Sequence, residues 1–165
     1  ADIYGQGVGY WYALGILIDG SGHDAYHLGQ YGQGAGVHLA SGLLADLSGD
    51  DVRTAVFGPA QGAAHDLATG VLIDLSGDDL SLCGGTAFGH GNANAVALYV
   101  DAAGNDVYQL KQDLDGLGSG ASARGSGSFG LFLDLAGKDR YPGREAADGH
   151  FWLRGQWGAG WDLQP

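Results

Sequence analysis

The pattern Asp-x-x-Gly-x-Asp occurs five times, at Asp19–Asp24, Asp46–Asp51, Asp74–Asp79, Asp101–Asp106 and Asp134–Asp139, with the first aspartates 27, 28, 27 and 33 residues apart. A period of this size marks a chain that folds as stacked equivalent units, because one unit alone cannot bury its apolar face. Other positions keep the same register. A Gln-Gly pair stands 13 residues before three of the first aspartates, at Gln6-Gly7, Gln33-Gly34 and Gln61-Gly62, and the fourth repeat has His90-Gly91, shifted by two. Gly15, Gly42, Gly70, Ala97 and Gly130 form a column of small residues. The fifth repeat carries an irregular glycine-rich run over Gly116–Gly127, which reads as a flexible loop because no helix pattern follows it.

Each repeat holds three short segments split by turn signals, in the second repeat Ala35–Ala40, Leu43–Asp46 and Val52–Phe57. Segments of this length between Gly-rich turns read as strands. A helical bundle is ruled out by 33 glycines in 165 residues, each costing about 1 kcal/mol inside a helix. The expected fold is all-β, a parallel β-helix (solenoid) of about five coils over residues 1–141, with residues 142–165 as a C-terminal aromatic capping segment. Equivalent residues then form vertical ladders at about 4.8 Å. Ile16, Leu43, Val71, Leu98 and Leu131, with Ile18, Ala45, Ile73, Val100 and Leu133 two positions on, share one face, read as the interior. The residues between them, Leu17, Leu44, Leu72, Tyr99 and Phe132, then point outward, yet all are apolar. A strand apolar on both faces is buried on both, so this row is expected to be covered. Three covers are open: another segment of the chain, a second copy or the rest of a parent protein. Self-association is preferred.

Charge narrows the partners. The net charge is −12, and residues 1–110 hold twelve acids against one base, Arg53. Nucleic-acid binding needs a basic stripe, and attraction to anionic lipid needs one too; neither is expected, and no apolar run is long enough for membrane insertion by a helix. Cys83 is the single cysteine, so no internal disulfide forms. The chain begins at Ala1 without Met, which suits a processed or excised piece.

The ten motif aspartates, Asp19, Asp24, Asp46, Asp51, Asp74, Asp79, Asp101, Asp106, Asp134 and Asp139, support two readings. Asp and Gly three apart suit a type I turn, and Asp bonds backbone amides two residues on. Stacked carboxylates about 4.8 Å apart also repel, by roughly 3 to 4 kcal/mol at an effective dielectric near 20 and about 1 in water. A hard cation such as Ca²⁺ between coils would relieve that repulsion. Asp101-Ala-Ala-Gly-Asn-Asp-Val-Tyr108 resembles the calcium-binding nonapeptide repeats of secreted RTX proteins. The resemblance implies Ca²⁺ at the aspartate ladders and an extracellular or cell-surface location. It covers about eight residues per coil; the RTX pattern has Gly at the first Asp, and an apolar residue where Arg53 and Ser81 stand.

The remaining candidates carry less chemistry. The six histidines, His23, His27, His38, His65, His90 and His150, show no His-x-x-x-His spacing with a partner Glu, although His38 and Asp66 share a ladder position and can hydrogen-bond across coils. No Gly-x-Ser-x-Gly elbow precedes a helix pattern. Tyr10-Trp11-Tyr12, Phe151-Trp152, Trp157 and Trp161 suit end caps, which solenoids need. Over residues 5–141 the chain resembles bacterial parallel β-helix repeat proteins. The expected function is a non-catalytic secreted or cell-surface structural or adhesive solenoid, possible calcium stabilisation included. The alternatives are a polysaccharide-active β-helix enzyme, for which regular repetition offers no local exception, and an acidic nucleic-acid mimic.

Overall fold

In the computed structural model, which describes residues 2–111 and 116–163, the chain is all-β without helix. It forms a parallel β-solenoid of about six turns. The central strand of each turn, Leu14–Asp19, Ser41–Asp46, Thr69–Asp74, Val96–Asp101, Phe129–Asp134 and Gly158–Asp162, joins one sheet, and Phe151–Leu153 adds an antiparallel edge. A second sheet stacks Ala25–Leu28, Val52–Ala55, Leu80–Cys83 and Val107–Leu110. A third stacks Gly9–Tyr10, Gly36–Val37, Ala64–His65 and Gly91–Asn92. The expectation was about five coils. The additional strand comes from the tail, where Gly158–Asp162 continues the stack and Trp161 and Asp162 fall in register with Leu133 and Asp134.

Register is unbroken along the central sheet: Asp19, Asp46, Asp74, Asp101, Asp134 and Asp162 lie one above another. The corners continue the ladders. Trp11, His38 and Asp66 all have positive φ, as do Tyr12, Leu39 and Leu67 after them. Left-handed backbone costs such residues roughly 1–2 kcal/mol. Inter-coil bonds offset it, such as His38 N–H to the His65 carbonyl and Leu39 N–H to the Asp66 carbonyl, each 3.0 Å.

A second left-handed pair explains the Gln-Gly motif. Gln6, Gln33 and Gln61 and the glycines after them have positive φ, and so do Phe88-Gly89 and Leu117-Gly118. The fourth coil's equivalent is therefore Phe88-Gly89, not His90-Gly91. Gly118-Ser119-Gly120 also belongs to the stack rather than to a loop, since Gly120 bridges Gly91 on one side and Gly155 on the other. Buried Gln33 and Gln61 donate from Nε2 to carbonyls of two successive coils, which is why Gln recurs there.

The two faces of the central strand are the reverse of the expectation. Leu44, Leu72, Tyr99 and Phe132 are the core, with no exposed surface, and Leu17 packs against them at the first coil. Ile16, Ile18 and their ladders face outward, with Ile16 and Ile18 more than half exposed. Parity gives the reason. The small-residue column and the aspartates lie two residues either side of the Leu17–Phe132 row, so all three share a face. Only inside is space short: a Cβ on Gly42 would lie 2.0 Å from the Ala35 carbonyl oxygen. Large residues fill the middle of the interior, with Tyr99 and Phe132 stacked at 5.1 Å, and Trp152 closes the end against Phe132 and Tyr141.

Gly34 and Gly125 share φ of +77°, but a Cβ at Gly34 would lie 2.1 Å from the Val71 carbonyl oxygen, whereas Gly125 has nothing within 4 Å. Gly34→Ala should cost about 3 kcal/mol or more, through strain and backbone displacement. Gly125→Ala should cost only about 1 kcal/mol. Thermal unfolding of the two variants checks the difference.

Candidate functional site

The motif aspartates build a polar column inside the solenoid. Asp46, Asp51, Asp74, Asp79, Asp101, Asp106 and Asp134 are buried, Asp139 is half-buried, and Asp19 and Asp24 lie half-buried in the first coil. Each second aspartate accepts, through Oδ1, the backbone N–H of its counterpart one coil earlier. Asp51 takes Asp24, Asp79 takes Asp51, Asp106 takes Asp79 and Asp139 takes Asp106, at 2.6 to 2.7 Å. The motif therefore clamps coil to coil. The local turn bond also occurs, as in Ser76 N–H to Asp74 Oδ1 at 3.0 Å.

Two residues after each second aspartate lies one column of side chains, Tyr26, Arg53, Ser81, Tyr108 and Tyr141; all but Ser81, which pairs with the Tyr99 hydroxyl at 3.3 Å, meet the aspartates from inside. The Tyr26 hydroxyl lies 3.0 Å from Asp19 Oδ2 and 2.7 Å from Asp46 Oδ2. The Tyr108 hydroxyl lies 2.9 Å from Asp101 Oδ2 and 3.1 Å from Asp134 Oδ2. The Tyr141 hydroxyl lies 2.8 Å from Asp134 Oδ2 and 2.5 Å from Asp162 Oδ2. A phenol has one proton. Between two carboxyl groups it donates to one and accepts only from a partner that is itself protonated. Around Tyr108 both neighbours, Asp101 and Asp134, lie above the usual carboxylate range, which suits a proton held between them and the phenol.

Arg53 solves the same problem differently. Its guanidinium, with no exposed surface, donates to Asp79 Oδ2 at 2.7 Å, to Asp51 Oδ2 at 3.0 Å and to Asp74 Oδ2. Asp46 Oδ2 lies 3.7 Å away. The sequence singles out Arg53 as the lone base of residues 1–110, and Arg53 and Ser81 as departures from an apolar pattern, but not the column they share with the tyrosines. The available signal was the column Tyr, Arg, Ser, Tyr, Tyr at constant offset from the aspartates.

Burial dominates the acid–base chemistry. It pushes Asp51 and Asp74 up to about 7, against the opposing pull of Arg53. Asp106 rises to about 8, Asp134 to about 7 and Asp139 to about 6, by burial and then by the charge of neighbouring aspartates. Asp101 also lies well above the usual carboxylate range, first by burial and then through Asp106.

A second cluster lies on the third sheet. His38 Nδ1 and Asp66 Oδ2 are 2.8 Å apart, so the ladder position common to both does bring them together, and Arg124 holds the other oxygen of Asp66 at 2.7 Å. A cavity of about 270 Å³ opens beside them, lined by Tyr31, His38, His65, His90 and Asn92 among others. Tyr10 packs against Tyr4 and Tyr31, and Trp11 against Tyr10 and His38, so these rings adjoin the residues that line the cavity.

No family model matches the chain, and no curated protein or solved structure matches it either. The geometry alone therefore defines the class: a parallel β-solenoid with an interior column of aspartates.

Two outcomes follow for the metal-free protein. The raised aspartates bind more protons folded than unfolded between the ordinary carboxylate value of 3.8 and their folded values of about 6 to 8. Stability should therefore fall as pH rises across that window and level off above it. Thermal midpoints in chelator at intervals from pH 4 to 9 check this. Arg53→Met should cost about 3–5 kcal/mol at pH 8, because it leaves buried carboxylates without their cation, and less near pH 5, where protons replace it; denaturant unfolding at both pH values measures the difference.

Proposed function

We propose that the protein is a non-catalytic structural module that assembles with a second copy of itself through the outer face of its central sheet. The observation that carries this reading is the makeup of that face. Its outward ladders, running from Ile16 to Ala159 and from Ile18 to Trp161, contain no charged residue, and neither does the row from Leu14 through Val96 to Phe129. The association expected along Leu17, Leu44, Leu72, Tyr99 and Phe132 moves to this face, since those five belong to the core.

Area supports a second copy. Seven strands at about 4.8 Å span about 29 Å, and three outward residues per strand span about 17 Å with their side chains. That is roughly 500 Å² per copy, near the upper end of what monomers leave open. A pair buries roughly 1,000 Å², where specific interfaces begin. A flat apolar sheet packs well on another at about 10 Å, and a two-fold axis makes one face its own complement. An uncharged face gives a charged partner nothing to pair with.

The placement of the acids weighs against the alternatives. Among the described residues eight aspartates, including Asp162, are buried, so these present neither an accessible carboxylate pair to a polysaccharide nor an outward negative surface resembling a nucleic acid.

Replacing Leu98 and Leu131 by Asp should convert a dimer to a monomer, read by sedimentation or light scattering, with the far-ultraviolet strand signal kept. A wild-type chain that is monomeric at every concentration tested would sink the reading.

A further inference from the structure

The carboxylate oxygens that are buried without a hydrogen-bond partner are unevenly distributed. Among the described residues they are Asp101 Oδ1, Asp106 Oδ2, Asp134 Oδ1 and Asp139 Oδ2, all in the fourth and fifth coils. Asp101, Asp106 and Asp134 have no exposed surface. In the second and third coils the corresponding oxygens of the second aspartates, Asp51 Oδ2 and Asp79 Oδ2, both accept from Arg53.

The ladder explains the difference. Arg53 stands two coils before Tyr108 in one column. Tyr108 matches half of what Arg53 does: its hydroxyl bridges the first aspartates of two coils, Asp101 and Asp134. A phenol ends there. The second and third N–H groups, which Arg53 sends to second aspartates, have no counterpart on Tyr108. Asp106 Oδ2 and Asp139 Oδ2 are left facing the place where positive charge sits in the arginine tier. An ionised carboxylate buried without a partner is strongly destabilising, so this tier has a demand for a cation.

We propose that a divalent cation, Ca²⁺ by its ligand set, binds among Asp106, Asp134 and Asp139 between the fourth and fifth coils, doing there what the Arg53 guanidinium does between the second and third. Each of the three residues offers a carboxylate oxygen, and these lie within 4.8 Å of one another. Oxygens no more than 4.8 Å apart can share a centre at up to about 2.8 Å, which takes in the 2.3–2.6 Å of Ca²⁺–oxygen bonds, and a buried site favours Ca²⁺ over Mg²⁺, which sheds its waters reluctantly. All-oxygen ligands also disfavour zinc and copper. Three similar groups exist among the described residues, and each contains an aspartate already satisfied: Arg53 donates to Asp51 and Asp74 in the Asp46, Asp51 and Asp74 group, both oxygens of Asp79 accept hydrogen bonds in the Asp79, Asp101 and Asp106 group, and both oxygens of Asp162 do in the Asp139, Asp148 and Asp162 group. The calcium expectation for all ten aspartates thus narrows to one tier, and it does not depend on dimer formation.

The test is calorimetric titration of the chelator-stripped full chain with CaCl₂ and with MgCl₂ at pH 8, together with thermal unfolding in each salt. The expected result is saturable Ca²⁺ binding and a midpoint raised by about 5 to 10 °C at Ca²⁺ 100-fold above its dissociation constant, with a smaller Mg²⁺ effect. Asp106→Asn and Asp139→Asn should each lose the calcium response; Asp139 is only half-buried, so its variant is read if Asp106→Asn fails to fold. The exposed turn pair Asp50→Asn and Asp78→Asn should keep it. An unchanged midpoint and no binding heat at pH 8 would mean that protons alone neutralise the column and would overturn the proposal. So would calcium binding that survives Asp139→Asn, or that disappears with the exposed pair, since the ion would then sit elsewhere.

Discussion

In-register stacking is the constraint on which everything else rests. Each coil's amides bond to the next, so a residue in one turn lies about 4.8 Å from its equivalent in the turns above and below. For Leu44, Leu72, Tyr99 and Phe132 this gives a continuous core without a second layer. For the aspartates it forces like charge onto like charge, most of it buried. The same geometry that makes the core efficient makes the acid column costly, and the interior chemistry consists of remedies for that cost.

Three remedies share the column. Backbone N–H groups aimed at the second aspartates bond one coil to the next. Tyrosine hydroxyls at Tyr26, Tyr108 and Tyr141 each bridge the first aspartates of two successive coils. Arg53 supplies a fixed positive charge to four carboxylates at once. These differ in what they ask of the solution: the arginine tier carries a positive charge of its own, although Asp51 and Asp74 still rise to about 7 there, whereas the Tyr108 tier has none and its aspartates rise on burial and mutual repulsion. A regular backbone thus carries an irregular electrostatic interior.

The outside of the central sheet is under a weaker constraint. Nothing in the stacking requires Ile16, Ile73, Leu98 or Leu131 to be apolar, because each points away from the core. Their uniform lack of charge is consistent with a demand from beyond the single chain, which is why this face, rather than the aspartate column, carries the reading of assembly.

The sequence by itself determined the period, the three strands per turn, the parallel stacking and the alignment of the aspartates, because these depend on spacing and turn chemistry that every repeat restates. It also brought His38 and Asp66 to one ladder position. The tertiary structure decided which face of the central strand is inside, because aliphatic residues occupy both faces and hydrophobicity cannot distinguish them; only the lack of space at Gly42 and its equivalents does. It decided that Phe88-Gly89 and Leu117-Gly118 belong with the Gln-Gly pairs, because what repeats there is a left-handed backbone and not a side chain. And it decided that the tail continues the solenoid and that Arg53 sits inside it, since both depend on contacts between coils that no single repeat contains.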